Sequence, residues 1–399
     1  MANKVADVGV VTEALRGVPL GDPTTPLRPS GLPALRHMPS AMVRSHLQRL
    51  PEVAPVVAEK PLLETDLAPG YTMVGQSAVG CPIADLSVSP RGGYIYATNQ
   101  LDDTVSVLDP ETLAVVATVT GTEEPFVVRA AGSRAYVSTV SATCDAVTVI
   151  DPKAGTVVAT HPLAASVRDL VVSPDGRRVY VARTGADGAD VAVIDTVTGR
   201  VTTIVLGTRR VSTAEAITVS RDGTRVYVAT ADHIGGELVA IDTRDHRVVG
   251  SCTFVAPIRG IAVSPDGATV FVAGYDTAVG AHVEIVDART CSVTGTVAVG
   301  GSVTQLMLSV DGDRAYVVNG DQIAVMCTAT SELIDTVTVG AEPACITESR
   351  DGKRLFVADH DGRVTAFSVA TTTESLLATM MEPAALAMPE LRELEPAGV

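Results

Sequence analysis

Between residues 71 and 381 the apolar positions fall in short runs dominated by Val, Ala, Ile and Thr, punctuated by Pro, Asp and Gly. Short β-branched runs bounded by turn formers read as strands. Residues 170–205 show the unit: Leu170–Val172, the turn Ser173-Pro174-Asp175-Gly176, Arg178–Val181, Val191–Ile194 and Val201–Val205. The same phrase returns around Gly92, Gly132, Gly176, Gly223, Gly267, Gly312 and Gly352, and an aromatic follows each glycine by four residues: Tyr96, Tyr136, Tyr180, Tyr227, Phe271, Tyr316 and Phe356. The gaps between these glycines are 40, 44, 47, 44, 45 and 40 residues. A period of roughly 40–45 residues with four strands per repeat is the signature of a propeller. One four-stranded sheet cannot bury both of its faces, whereas seven packed around an axis can. The predicted fold is all-β: a seven-bladed β-propeller of four-stranded antiparallel blades.

The turn chemistry explains many of the acidic residues. Pro presets φ for the first turn, Asp bonds its own backbone, and Gly accepts positive φ. Asp109, Asp151, Asp195, Asp242 and Asp287 close the third strands and are expected to start Asx turns rather than to act chemically. Two segments compete to close the ring. Residues 71–79 resemble an outer fourth strand placed ahead of the first blade, while Leu376–Met380 offers the last repeat a fourth strand of its own. The expectation is that 71–79 joins the last blade. The propeller is thus drawn at 71–381, with a flexible tail at 382–399. Residues 1–70 form an irregular extension containing a short helix near 41–50, capped by Ser40, stopped by Pro51, and carrying Val43, Leu47 and Leu50 on one face. So short a helix needs a docking surface: the acidic ring, a partner protein or, third, a membrane surface.

Composition narrows the function classes. The net charge is −16, and the extension is neutral, so the acidity lies mainly on the ring. Such a surface repels phosphate backbones, and general nucleic-acid binding is not expected. There is no tryptophan, which argues against a propeller with Trp-Asp repeats. The six cysteines form no CxxC pair or zinc-finger spacing and read as buried thiols, with Cys81 and Cys345 brought into neighbouring blades by ring closure. No apolar run is long enough for a transmembrane helix, and Met1–Gly17 does not read as a secretory signal. A cytoplasmic monomer is expected, with envelope association by another route as the alternative.

Tyr94-Ile95-Tyr96-Ala97-Thr98-Asn99, Val179-Tyr180-Val181-Ala182 and Val226-Tyr227-Val228-Ala229, each followed by a strand, resemble the YVTN family of bacterial seven-bladed propellers. The resemblance runs through all seven repeats and implies the propeller fold. It implies surface-layer, periplasmic or redox-associated roles, and by fold analogy a lactonase activity.

In resembling propellers the first strand of each blade lines a central channel, and its start faces the ligand side. Counting back five residues from the turn serine places Glu124, Arg168, Glu215 and Arg259 at the channel mouth, with Asp85 and Asp169 one residue further in. The loops between second and third strands add a rim of Asn99, His233, Asp276, His282, Asn319 and His360. Two readings stand: a polar pocket for a partner protein or small ligand, and a ring of mutually neutralised charges. A lactonase-like site would need several oxygen ligands converging on a cation. Asp85, Glu124, Asp169 and Glu215 could supply them, but Arg168 and Arg259 would sit among them. No metal site, cofactor or catalytic residue is therefore expected, and the function predicted is non-catalytic binding or scaffolding, with a lactonase-like hydrolase as the alternative.

Overall fold

The computed structural model describes residues 70–370, apart from 142–143, 208–211, 277–279 and 340–341. The expected helix at 41–50, the strand at 376–380 and the tail lie outside the described residues. Those described form 28 strands in seven four-stranded antiparallel sheets. Blade 1 holds β2 (Ile83–Val88) to β5 (Val115–Thr120), blade 2 β6 (Val128–Ala131) to β9 (Thr156–Leu163), and blade 3 β10 (Ser166–Val172) to β13 (Val201–Val205). Blades 4, 5 and 6 begin with β14 (Thr213–Val219), β18 (Ile258–Val263) and β22 (Val303–Leu308).

The last blade combines both ends of the ring. Its inner three strands are β26 (Pro343–Glu348), β27 (Arg354–Asp359) and β28 (Arg363–Val369), and its outer strand is β1 (Tyr71–Ala78). β1 runs antiparallel to β28 from Tyr71 opposite Val369 to Ala78 opposite Arg363. The segment at the start of the repeats is thus the clasp.

Turn chemistry sets each inner hairpin. In blade 3 the Gly176 N–H donates to the Ser173 carbonyl at 2.8 Å, and the Ser173 hydroxyl donates to Asp175 at 2.6 Å. The Arg177 N–H also donates to the Asp175 carboxylate at 3.0 Å. Asp195, at the end of β12 (Gly188–Asp195), accepts from the Val197 and Thr198 N–H groups at 3.1 and 2.7 Å. Hydrogen bonds from Ser173 and Thr198 hold these two carboxyls below the usual carboxylate range. These aspartates serve turns.

Strand alternation builds the core. In β11 (Arg178–Gly185), Tyr180 and Ala182 pack toward blade 4, while Val179 and Val181 pack toward blade 2. Seven apolar clusters result, each shared by two adjacent blades. The repeated aromatic sits in these layers, fully buried at Tyr96, Tyr180, Tyr316 and Phe356. A blade therefore has no core of its own, and the seven stand together.

Candidate channel-mouth site

A repeated β-bulge creates the site. Val167 pairs with Arg183 and Asp169 with Ala182, so Arg168 is an extra residue with no partner across the hairpin. The same shift singles out Glu215, Arg259 and Thr304. A bulge re-aims side chains, and here it turns both the extra residue and its successor toward the axis. Arg168, Glu215 and Arg259, with Asp85 and Asp169, line a channel of about 540 Å³.

The mouth is a bridged trio. Glu215 accepts from Arg168 at 2.9 Å and lies 3.5 Å from the Arg259 guanidinium. The Thr213 hydroxyl donates to its other oxygen at 2.9 Å. The Arg168 and Glu215 side chains are nearly covered, whereas Arg259 is 35% exposed.

One residue further in, Asp85 and Asp169 flank Arg129, which hydrogen-bonds Asp85 and lies 3.3 Å from Asp169. Both carboxylates also tie neighbouring blades: Asp85 accepts the Val128 N–H and Asp169 the Ile217 N–H, each at 3.0 Å. Gln305 repeats the device between blades 6 and 7, accepting the Ile346 N–H at 2.7 Å. Burial pushes the Asp169 carboxyl up, opposed by the charge of Arg129 and by the Ile217 and Leu170 N–H groups. Burial also works against the charge of Arg129, but Asp85 and Asp169 overcome it and hold its pKa above the usual value.

Glu124 does not join the trio. In six blades the channel-facing residue opposite the repeated aromatic lies nine positions before it, as Val171 before Tyr180; in blade 2 Arg129 lies opposite Tyr136, seven before it. That hairpin is two residues shorter, so a count from Gly132 overshoots, and Phe126 rather than Glu124 reaches the channel wall. Glu124 sits on the preceding connection, where its N–H donates to Asp103 at 2.9 Å. Arg129 escaped the count for the same reason. The signal was present: the six longer turns each have a serine three residues before the glycine, and before Gly132 that position is Arg129 itself.

The expected rim does not converge on the channel, since none of its six residues lines the cavity. The Asn99 amide donates to Thr104 and Ser106 at 3.0 and 2.8 Å, inside its own blade. Asn319 reaches the Val299 carbonyl at 3.4 Å. His282 is buried with a ring nitrogen 3.2 Å from the Gly280 carbonyl. His233 and His360 are exposed, and Asp276 is half-buried. Among the described residues no three His, Cys, Asp or Glu side chains gather in a way that could hold a metal ion. All six cysteines are free, so no disulfide joins Cys81 to Cys345. No helix among the described residues is long and apolar enough to cross a membrane.

Seven interlocked blades around a lined channel, closed by an N-terminal strand, define a seven-bladed β-propeller. The chain belongs to the YNCE-like beta-propeller family, which it matches over residues 67–374. It is 38% identical over 385 residues to the seven-bladed beta-propeller protein Rv1057 of Mycobacterium tuberculosis, covering 87% of this chain and 98% of that one. Among solved structures it resembles a chain of the Kuenenia stuttgartiensis hydrazine synthase, with a TM-score of 0.65 and 19% identity over 79% of this chain and 99% of that one. At that identity the likeness shows the fold alone.

Proposed function

We propose that the protein is a non-catalytic binding propeller whose channel mouth receives an anionic group from a small ligand or a partner protein. The carrying observation is Arg259. Its guanidinium lines the channel, is 35% exposed, and makes a single 3.5 Å ion pair with a Glu215 that already accepts from Arg168 at 2.9 Å. A guanidinium presents five donors in a planar fork suited to carboxylate or phosphate, so most of its hydrogen-bonding capacity faces the channel. Arg168, fixed by Glu215, adds a second positive charge beside it.

A hydrolytic reading has less support. Asp85, Asp169 and Glu215 are each engaged by an arginine, and Asp85 and Asp169 also by backbone N–H groups, so none stands ready to activate water.

The test is thermal stabilisation by a panel of carboxylates and phosphates, together with intact-mass detection of molecules that copurify. A ligand at 100 times its Kd would stabilise by about 2.7 kcal/mol. The expected result is a binder whose effect vanishes in Arg259→Ala and persists in Asp266→Asn, a change in a turn away from the mouth. Loss in Asp266→Asn with retention in Arg259→Ala would move the site elsewhere and refute the reading.

A further inference from the structure

The boundary between blades 6 and 7 holds a carboxylate where the other blades are apolar. The inner-strand position just before the serine turn is Val88, Val172, Val219, Val263 or Leu308, and Ala130 at the register-matched place in blade 2; in blade 7 it is Glu348. Glu348 is only 7% exposed. Its Oε2 accepts the Val310 N–H at 2.5 Å, across the blade boundary. Its Oε1 lies 3.4 Å from the hydroxyl of Tyr316 on β23 (Arg314–Asn319). The Tyr316 hydroxyl in turn lies 3.5 Å from that of Tyr71, the first residue of the clasp strand. Arg314 stacks over the Tyr71 ring at 5.9 Å and donates to the Ala370 carbonyl at 2.8 Å. The Ala370 N–H returns to the Gly70 carbonyl at 2.8 Å. A hydroxyl chain thus connects one buried carboxyl to the strand that closes the ring.

We propose that Glu348 is a proton-operated latch, whose protonation state sets the direction of the Glu348–Tyr316–Tyr71 hydroxyl chain and the firmness with which β1 is held. With Glu348 ionised, Tyr71 donates to Tyr316 and Tyr316 donates to Oε1. With Glu348 protonated from solvent, Oε2 still accepts from Val310, the Oε1 proton is donated to Tyr316, and the Tyr316 hydroxyl turns to Tyr71. In the second state the Tyr71 hydroxyl becomes an acceptor and its own proton turns away from Tyr316; the two states differ also in whether a charge is buried beside the clasp. The charged groups facing Glu348 are Asp311 from the β22–β23 turn and Arg314 from β23, with the titratable Tyr316 from β23. Tyr71 and Asp335 stand behind them.

The chemistry of the site supplies the sign. Burial raises the Glu348 carboxyl to about 7, against a stabilising pull from the Val310 N–H and a further push from Asp311. A carboxyl raised in the folded state stabilises that state fully below its unfolded value, and the contribution is lost as pH rises through the folded value. The latch therefore loosens progressively as pH rises from the ordinary carboxylate range toward about 7, and the loss is complete above it.

Hydrogen exchange of the full chain, corrected for intrinsic rates, tests this at about pH 5.5 and about pH 8.5, on either side of the titration. In the unmodified protein, protection of β1 and β28 should fall by about tenfold across that range while β10 and β11 change little. Glu348→Gln removes the titration and keeps the acceptor, so its clasp protection should be independent of pH. Glu348→Val, the residue of four other blades, should behave likewise and serves if the Gln variant does not fold. Tyr71→Phe should also flatten the clasp response. A pH-independent clasp in the unmodified protein, an unchanged slope in the Glu348 variants, or an equal loss of protection in every blade would overturn the proposal.

Discussion

Replacing Arg129 by Met keeps the apolar stem of the side chain and removes the guanidinium that Asp85 and Asp169 share. The two carboxylates stay where they are, because the Val128, Leu170 and Ile217 N–H groups still hold them. Removing one member of a fully buried ion pair costs about 3–5 kcal/mol. Arg129 has 32% of its side-chain surface open to the channel, so solvent relieves part of that cost. We therefore expect a loss of about 2–3 kcal/mol. Unfolding entropies near 2 cal/mol/K per residue translate this, for a ring of about 300 residues, into a Tm lower by about 4 °C. The loss should shrink as pH falls from about 7 to about 5. Without Arg129 the burial that already raises the Asp169 carboxyl acts unopposed, so the folded variant takes up protons that its unfolded chain does not. Thermal melts of both proteins across that range measure the effect. A difference below about 0.5 kcal/mol at neutral pH would place the Asp85–Arg129–Asp169 cluster among exposed pairs of little worth. A penalty that grows on acidification would refute the reasoning outright.

The clasp and one glycine give two further tests. A chain beginning at Gly70 should keep the melting behaviour of the ring, whereas one beginning at Val79 loses the whole β1–β28 ladder and should melt well below it; equal melting temperatures would remove the clasp role. Gly362→Ala should destabilise by more than the roughly 1 kcal/mol of an ordinary glycine substitution, because Gly362 has φ +80° and an added Cβ would press into the Cys81 backbone. A variant that melts like the parent would show that this contact between blade 7 and the start of blade 1 yields easily.

Much of the site was visible in the chain because it repeats with the blades. Arg168, Glu215 and Arg259 occupy the same place in three consecutive repeats, and counting from a turn finds them wherever hairpins are equally long. The count fails in blade 2, where a hairpin two residues shorter moves Glu124 off the wall and brings Phe126 and Arg129 onto it. The rim failed for a different reason. Asn99 and His282 have the chemistry of ligand contacts, but Asn99 donates to hydroxyls of its own blade and His282 lies buried against its own hairpin. Nothing in a residue's type tells which neighbours will satisfy it.

The number of blades, the turns and the alternation that buries both faces of each sheet are local properties of the chain. These rest on interactions a few residues long: Ser, Asp and Gly within one turn, and a two-residue period within one strand. Which charges meet follows only from the closed ring. Asp85, Arg129 and Asp169 come from three blades, and Tyr71 meets Tyr316 across 245 residues of chain. Such contacts depend on hairpin length, on a bulge in six of the seven inner strands and on closure of the ring, and no local pattern encodes all three.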